Sequence, residues 1–185
     1  MRIGLFGGAF DPFHNGHLAI CRAAAKSAGL DRVIIIPSGN APHKRGFAAG
    51  FDDRCAMAQA ALAGTDFEIS RYEGERDGVS YSATTVEDFR RMYPDDELFF
   101  LIGADSYRDF GSWYEPWRIT DIARLVVFPR GGMDIEVQPP AILADMDKIE
   151  ISSTELREKI KAGEDVSAYL PPAVNKYITI HNLYK

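Results

Sequence analysis

The run Arg32-Val33-Ile34-Ile35-Ile36 constrains this chain more than any other short stretch. It is β-branched and apolar at successive positions, so both faces of the strand it forms must be covered. Pro37 closes it. Strands of this kind belong to parallel sheets with helices on both sides. Leu98–Ile102 has the same character and stops at Gly103. Further strands are expected at 2–6, 67–71 and 125–128, with a weak final one at 148–151. Helical periodicity falls between them at about 16–28, 52–62, 82–92, 106–110 and 117–123, and then at 153–162 and 171–180. Alternation of this sort specifies an α/β fold with a mostly parallel sheet. We expect one domain over residues 1–185 with a small C-terminal helical part, and no repeat or linker. Ligands in such sheets sit beyond the carboxyl ends of the strands. The loops after residues 6, 36, 102 and 151 therefore carry the search for function.

Composition narrows the classes. A chain of 185 residues can bury a core without staples. Its net charge of −6 argues against binding bulk nucleic acid but leaves a nucleotide substrate open. Cys21 and Cys55 lie in alanine-rich helical stretches, with no second ligand at metal or disulfide spacing, so reduced thiols are expected. The segment MRIGLFGG lacks the apolar region of a signal peptide, and no stretch approaches the roughly 20 apolar residues of a membrane span. A cytoplasmic location follows as an expectation.

The loop Gly7-Gly8-Ala9-Phe10-Asp11-Pro12-Phe13-His14-Asn15-Gly16-His17 is the most informative stretch. Glycine after a strand lets the backbone turn tightly and lets a ligand approach closely. The helix that follows offers free N–H groups and a dipole suited to phosphate. His14 and His17, three residues apart, reach the same side of its first turn. Two imidazoles aimed at one phosphate can donate to charge that develops in a transition state. Alone, the glycines could be an ordinary turn, and the histidines a solvated helix start or a chance metal pair. No third metal ligand accompanies them, and the whole combination favours the phosphate site.

A second signal is Ile151-Ser152-Ser153-Thr154-Glu155-Leu156-Arg157. Ser152 and Glu155 have capping-box spacing, so a helix starts here. Its N–H groups, the hydroxyls and Arg157 suit a phosphate. By itself the segment reads as a capped surface helix; beside the first loop it reads as a second phosphate grip. Glu155 is expected to turn back onto its own cap.

The first loop resembles the signature of the His-x-Gly-His nucleotidyltransferases. That superfamily includes nicotinate mononucleotide, nicotinamide mononucleotide and phosphopantetheine adenylyltransferases and the cytidylyltransferases. The resemblance implies a Rossmann-like fold and direct attack of a substrate phosphate on the α-phosphate of a nucleoside triphosphate. Ile151–Arg157 is similar to the superfamily's motif for the β- and γ-phosphates of ATP. Within the superfamily, three segments resemble the bacterial nicotinate mononucleotide enzymes. Ser38–Lys44 looks like their Pro-Pro-His-Lys loop, with Ala41 where the first proline is usual. Leu101–Asp105 matches a Gly-Ala-Asp placed against the adenosine ribose. Ser80–Thr85 is similar to Ser-Tyr-Thr-x-Asp-Thr, but Ser82 and Thr84 depart from it.

From that resemblance, Gly7, Gly8, Ala9, Phe10, His14 and His17 are expected at ATP, together with Gly103, Asp105, Ile151, Ser152, Ser153, Thr154 and Arg157. Gly8, Lys44, Thr85, Trp113 and Tyr114 are expected at nicotinate mononucleotide, with Trp113 stacking on the pyridine ring and the Tyr114 backbone N–H on the carboxylate. Trp117 is expected in the core. His14, His17, Lys44 and Arg157 are the catalytic candidates, and no residue is assigned to a metal. Mg²⁺ is expected to come with ATP, bound mainly by phosphates and water. The expected partners are ATP and nicotinate mononucleotide, with neither nucleic acid nor membrane; a homo-oligomer is left open. The alternatives are the nicotinamide mononucleotide reaction and a non-catalytic nucleotide sensor of the same fold.

Overall fold

The computed structural model describes residues 1–40, 46–129, 135–147 and 150–185. Its strands are β1 (Arg2–Gly8), β2 (Arg32–Pro37), β3 (Glu68–Ile69), β4 (Glu97–Gly103), β5 (Ala123–Phe128) and β6 (Ile142–Leu143). They form one sheet in the order β3-β2-β1-β4-β5-β6, with every pairing parallel. The helices are α1 (Asn15–Ala28), α2 (Phe51–Ala61), α3 (Tyr72–Glu75), α4 (Ser82–Met92), α5 (Ala104–Arg108), α6 (Trp117–Thr120), α7 (Ser153–Lys161) and α8 (Pro172–Ile180), with a 3-10 turn at Phe110–Ser112. This is the Rossmann-like α/β arrangement expected from the alternation of strands and helices.

The doubly apolar runs explain the layers. Along β2, Val33 and Ile35 enter one core while Ile34 and Ile36 enter the other. In β4, Phe99 and Leu101 face the first core, and Leu98, Phe100 and Ile102 face the second. Successive strand residues point to opposite faces, so both sides need cover. The first core is closed by α1, α2, α7 and α8 through Ile20, Met57, Leu156 and Val174. The second is closed by α4 and α6 through Val86, Phe89 and Ile119. Full burial of each such side chain stabilises the fold by about 1.5–3 kcal/mol. No described helix is long and apolar enough to cross a membrane. Cys21 and Cys55 are buried free thiols, and burial raises the pKa of both.

Two elements differ from expectation. The expected strand at 148–151 does not flank β5: that place belongs to β6, in the register Val126↔Ile142 and Val127↔Leu143. Residues 148 and 149 lie outside the described residues, and Ile151 is in no strand. A two-residue edge strand leaves too little pattern to be seen in advance. Helix α3, a single turn after β3, is likewise unmarked by periodicity.

Candidate active site

β1 leads outward through β2 to β3 on one side, and β4 leads through β5 to β6 on the other. The strand order thus reverses between β1 and β4, where a crevice opens at the carboxyl ends. A cleft of about 910 Å³ lies there. Its walls include Gly7 to Asp11, His14 and His17 from the first loop, Gly103 and Asp105 after β4, and Ile151 to Thr154 with Arg157. Two motifs from opposite ends of the chain thus meet in one cavity.

The first loop is held open from below by aromatic packing. Phe10 and Phe13 are 1 % and 0 % exposed. The ring of His17 lies 5.0 Å from each of theirs. A Cβ on Gly8 would come within 2.8 Å of the Phe10 ring, whereas one on Gly7 would meet nothing within 4 Å. The protein itself therefore requires glycine at 8, while a side chain at 7 would occupy only the cleft. His14 is the N-cap of α1 and is buried. Its backbone N–H donates to His17 Nδ1 at 3.1 Å. With Nδ1 accepting, the neutral ring of His17 carries its proton on Nε2.

Helix α7 begins as expected. Ser152 Oγ accepts from the Glu155 N–H, and Glu155 Oε2 accepts from the Ser152 N–H, both at 3.2 Å. Glu155 is thereby folded back on the cap. The helix start is also tied to the first loop: Ser153 Oγ donates to the Pro12 carbonyl at 3.0 Å, and Arg157 Nη1 donates to the Asp11 carbonyl at 2.8 Å. Arg157 Nη2 reaches Thr154 Oγ1 at 3.2 Å. The two helix N-termini, α1 and α7, are locked in one frame with their partial positive charge beside one cavity.

Two residues of this frame escaped the sequence reading. Arg54, on α2, is 1 % exposed. It donates from Nη1 to the Ala9 carbonyl and from Nη2 to the Ser38 carbonyl, both at 2.8 Å. It thus ties the loop after β1 to the loop after β2. Phe47 lies 3.8 Å beneath its guanidinium, and desolvation lowers its pKa. Glu73, on α3, lines the cleft and is 8 % exposed. Burial raises its pKa against the opposing hydrogen bonds from Thr85, Gly39 and Ser80. An arginine within an alanine-rich helical stretch was the available signal for the first; nothing local marks the second.

The acceptor end differs in detail from expectation. Thr85 does not line the cleft; it is 3 % exposed and its hydroxyl donates to Glu73 at 2.8 Å. Glu73, its partner on α3, lines the wall, as do Ser80, Tyr81 and Ser82 at the start of α4. Trp113 and Tyr114 both line the cleft. Trp113 packs edge-on against Phe100, and Tyr114 stacks on Tyr81 at 4.3 Å. Trp117 is 59 % exposed rather than in the core, since α6 buries Ile119 instead. Gly103 leaves room for Asp105, whose Oδ1 would lie 2.6 Å from a Cβ placed there. His43 and Lys44 lie outside the described residues.

The sequence and the fold resemble those of known proteins. Residues 5–159 match the cytidylyltransferase-like family. The chain is 34 % identical to the nicotinate-nucleotide adenylyltransferase of Bacillus subtilis, over all of this chain and 98 % of that one. It is 42 % identical to the "Probable nicotinate-nucleotide adenylyltransferase" of Thermus thermophilus, over the full length of both. The fold superposes on Plasmodium falciparum nicotinic acid mononucleotide adenylyltransferase complexed with NaAD with a TM-score of 0.80. That match covers 99 % of this chain and 97 % of that one, at 19 % identity. The chain therefore belongs to the cytidylyltransferase-like family and, within it, to the nicotinate-nucleotide adenylyltransferases.

Proposed function

We infer that the chain moves AMP from ATP to nicotinate mononucleotide, giving nicotinate adenine dinucleotide and pyrophosphate in NAD biosynthesis. The observation that carries this is the convergence of the α1 and α7 N-termini, with His14, His17 and Arg157, on one cleft at the switch point of the sheet. Relatives named for this activity span the whole chain.

A phosphate oxygen of the mononucleotide attacks the α-phosphorus. A new P–O bond forms, the bond to the bridging oxygen breaks, and pyrophosphate leaves with that oxygen. The nucleophile is already an anion, so the reaction needs no covalent enzyme intermediate. Catalysis rests on positioning and on neutralising charge in the transition state. His17 Nε2–H is assigned to the α-phosphate oxygens. His14, Arg157 and the α7 start, with Ser153 and Thr154, are assigned to the phosphates. Asp105 is assigned to the ribose hydroxyls, Trp113 and Tyr114 to the pyridine end, and Lys44 to a substrate phosphate.

Mg²⁺ is assigned to the incoming ATP. Asp11, a cleft carboxylate close to the phosphate loops, is taken up by Ala48, Ala49 and Tyr184, and no cluster of three ligand side chains occurs among the described residues. An ion brought in with ATP would be held chiefly by phosphate and water and would supply charge neutralisation. A cytoplasmic location goes with ATP as substrate and with the buried free thiols.

The test is pyrophosphate release with ATP and Mg²⁺, comparing nicotinate with nicotinamide mononucleotide at equal concentration. A strong preference for the acid is expected. Preference for the amide would overturn the substrate, and release with neither would overturn the activity.

A further inference from the structure

Asp11 is a node that the transfer chemistry leaves unused. The residue is 3 % exposed. Its carboxylate accepts from the Ala48 N–H at 2.7 Å, the Ala49 N–H at 3.1 Å and the Tyr184 hydroxyl at 2.6 Å. Its backbone carbonyl accepts from Arg157 at 2.8 Å. One residue thus joins the first loop, the segment before α2, the segment after α8 and the arginine of the second phosphate motif.

Tyr184 is held in that place at a conformational cost. It adopts φ +65, and Asn182, two residues earlier, adopts φ +50. Asparagine tolerates the left-handed region, but a bulky aromatic residue there is an outlier that persists only where its surroundings over-determine it. The Leu183 N–H closes the end of α8 on the Ile178 carbonyl at 3.1 Å, which swings the following ring inward. The hydroxyl then meets Asp11, and burial together with that bond raises its pKa, so it stays a donor.

We propose that Tyr184 is a positioning residue for the triphosphate grip. Its hydroxyl fixes the Asp11 carboxylate, and Asp11 in turn presents its carbonyl to Arg157, so the segment after α8 sets where Arg157 and the start of α7 meet the β- and γ-phosphates. A buried carboxylate needs its acceptor sites filled. Without the tyrosine hydroxyl, Asp11 keeps two backbone donors on its carboxylate, and the first loop loses its tie to the segment after α8, so the carbonyl that Arg157 meets is fixed less firmly. The proposal rests on the reading that ATP lies between α1 and α7.

Tyr177 supplies the control. It also fastens α8 to the body, donating to Asp53 at 2.9 Å, but that bond runs to α2 and not to the first loop. Tyr184→Phe keeps the ring and removes the hydroxyl; Tyr177→Phe does the same for a purely structural contact. Two readouts are needed: the ATP dissociation constant by calorimetry alongside KM for each substrate, and amide hydrogen exchange without substrate. For Tyr184→Phe, ATP affinity should fall about tenfold, in line with loss of a hydrogen bond to a charged group. KM for nicotinate mononucleotide should stay within about twofold on the same reasoning, because the Asp11 bonds run to Ala48, Ala49, Tyr184 and Arg157 and not to Trp113 or Tyr114. Exchange should quicken at the Ala48 and Ala49 amides and at 13–17. Tyr177→Phe should lower Tm and leave ATP affinity unchanged. Equal ATP affinity in Tyr184→Phe and the unsubstituted protein, or equal losses for both substrates, would overturn the proposal. So would unchanged exchange at Ala48 and Ala49, a result that stands even if the unsubstituted protein proves to bind no ATP and the functional reading fails.

Discussion

His14 and His17 lie face to face, with ring centroids 3.7 Å apart and planes 20° from parallel, while the His14 backbone N–H occupies His17 Nδ1. The backbone of one histidine thus selects the tautomer of the other. The helix start, the aromatic nest of Phe10 and Phe13, and the Nδ1 acceptor bond together hold the His17 ring in one orientation. A donor that needs no reorganisation stabilises developing charge more than it stabilises the ground state.

His17→Ala is therefore expected to lower kcat by about 10²- to 10³-fold, the scale of losing one preorganised donor. The ATP dissociation constant should change by less than about tenfold, since arginine and helix-terminus contacts remain. Steady-state kinetics with calorimetric ATP binding separates the two. An unchanged kcat would remove His17 from the α-phosphate.

Most of this architecture was legible in the sequence, for definite reasons. Val33–Ile36 and Leu98–Ile102 declare two-sided burial, and the Gly7–His17 and Ile151–Arg157 motifs each mark a helix start. What escaped depends on contacts between distant segments. Arg54 acquires its role only when the loops after β1 and β2 converge on it. Glu73 matters because α3 brings a carboxylate under Thr85 and Gly39. Trp117 was misplaced because its apolar bulk said core, whereas the four-residue α6 has room to bury only Ile119.

Glu73 makes stability depend on pH in a definite direction. Burial raises its folded pKa above the ordinary carboxylate value, so between the two values the folded protein binds more protons than the unfolded chain. Stability is then lost as pH rises through that window. Glu73→Gln lacks this loss. The Tm of Glu73→Gln minus that of the unsubstituted protein should be more positive at about pH 7 than at about pH 4. Thermal unfolding at both values checks it, and a difference independent of pH would mean that Glu73 titrates as an exposed carboxylate.

Trp117→Ala tests the exposed position directly. At 59 % exposure its removal should change stability by no more than about 0.5 kcal/mol, against about 3–5 kcal/mol for a core tryptophan. The Tm should therefore move by no more than about 2 °C. Trp113 then remains as the single tryptophan, and nicotinate mononucleotide should quench its fluorescence. A large loss of Tm would return Trp117 to the core.

Arg54 gives the most direct test of how the two cleft loops are joined. Its two nitrogens serve the carbonyls of Ala9 and Ser38, at 2.8 Å each. Lysine is a single ammonium and cannot span both in the guanidinium's fixed fork. Arg54→Lys should therefore leave one buried carbonyl unpaired, costing about 1–3 kcal/mol. Arg54→Met should strand both, roughly doubling that cost. For a chain of this length each kcal/mol lowers Tm by about 2–4 °C. The two variants should fall in that order in thermal unfolding, and kcat/KM should fall with them, because Ala9 leads into the histidine loop and Ser38 precedes Gly39, whose N–H meets the Glu73 carboxylate. If Arg54→Met matched the unsubstituted protein in both, water would be satisfying the carbonyls and the loops would not be tied through this arginine.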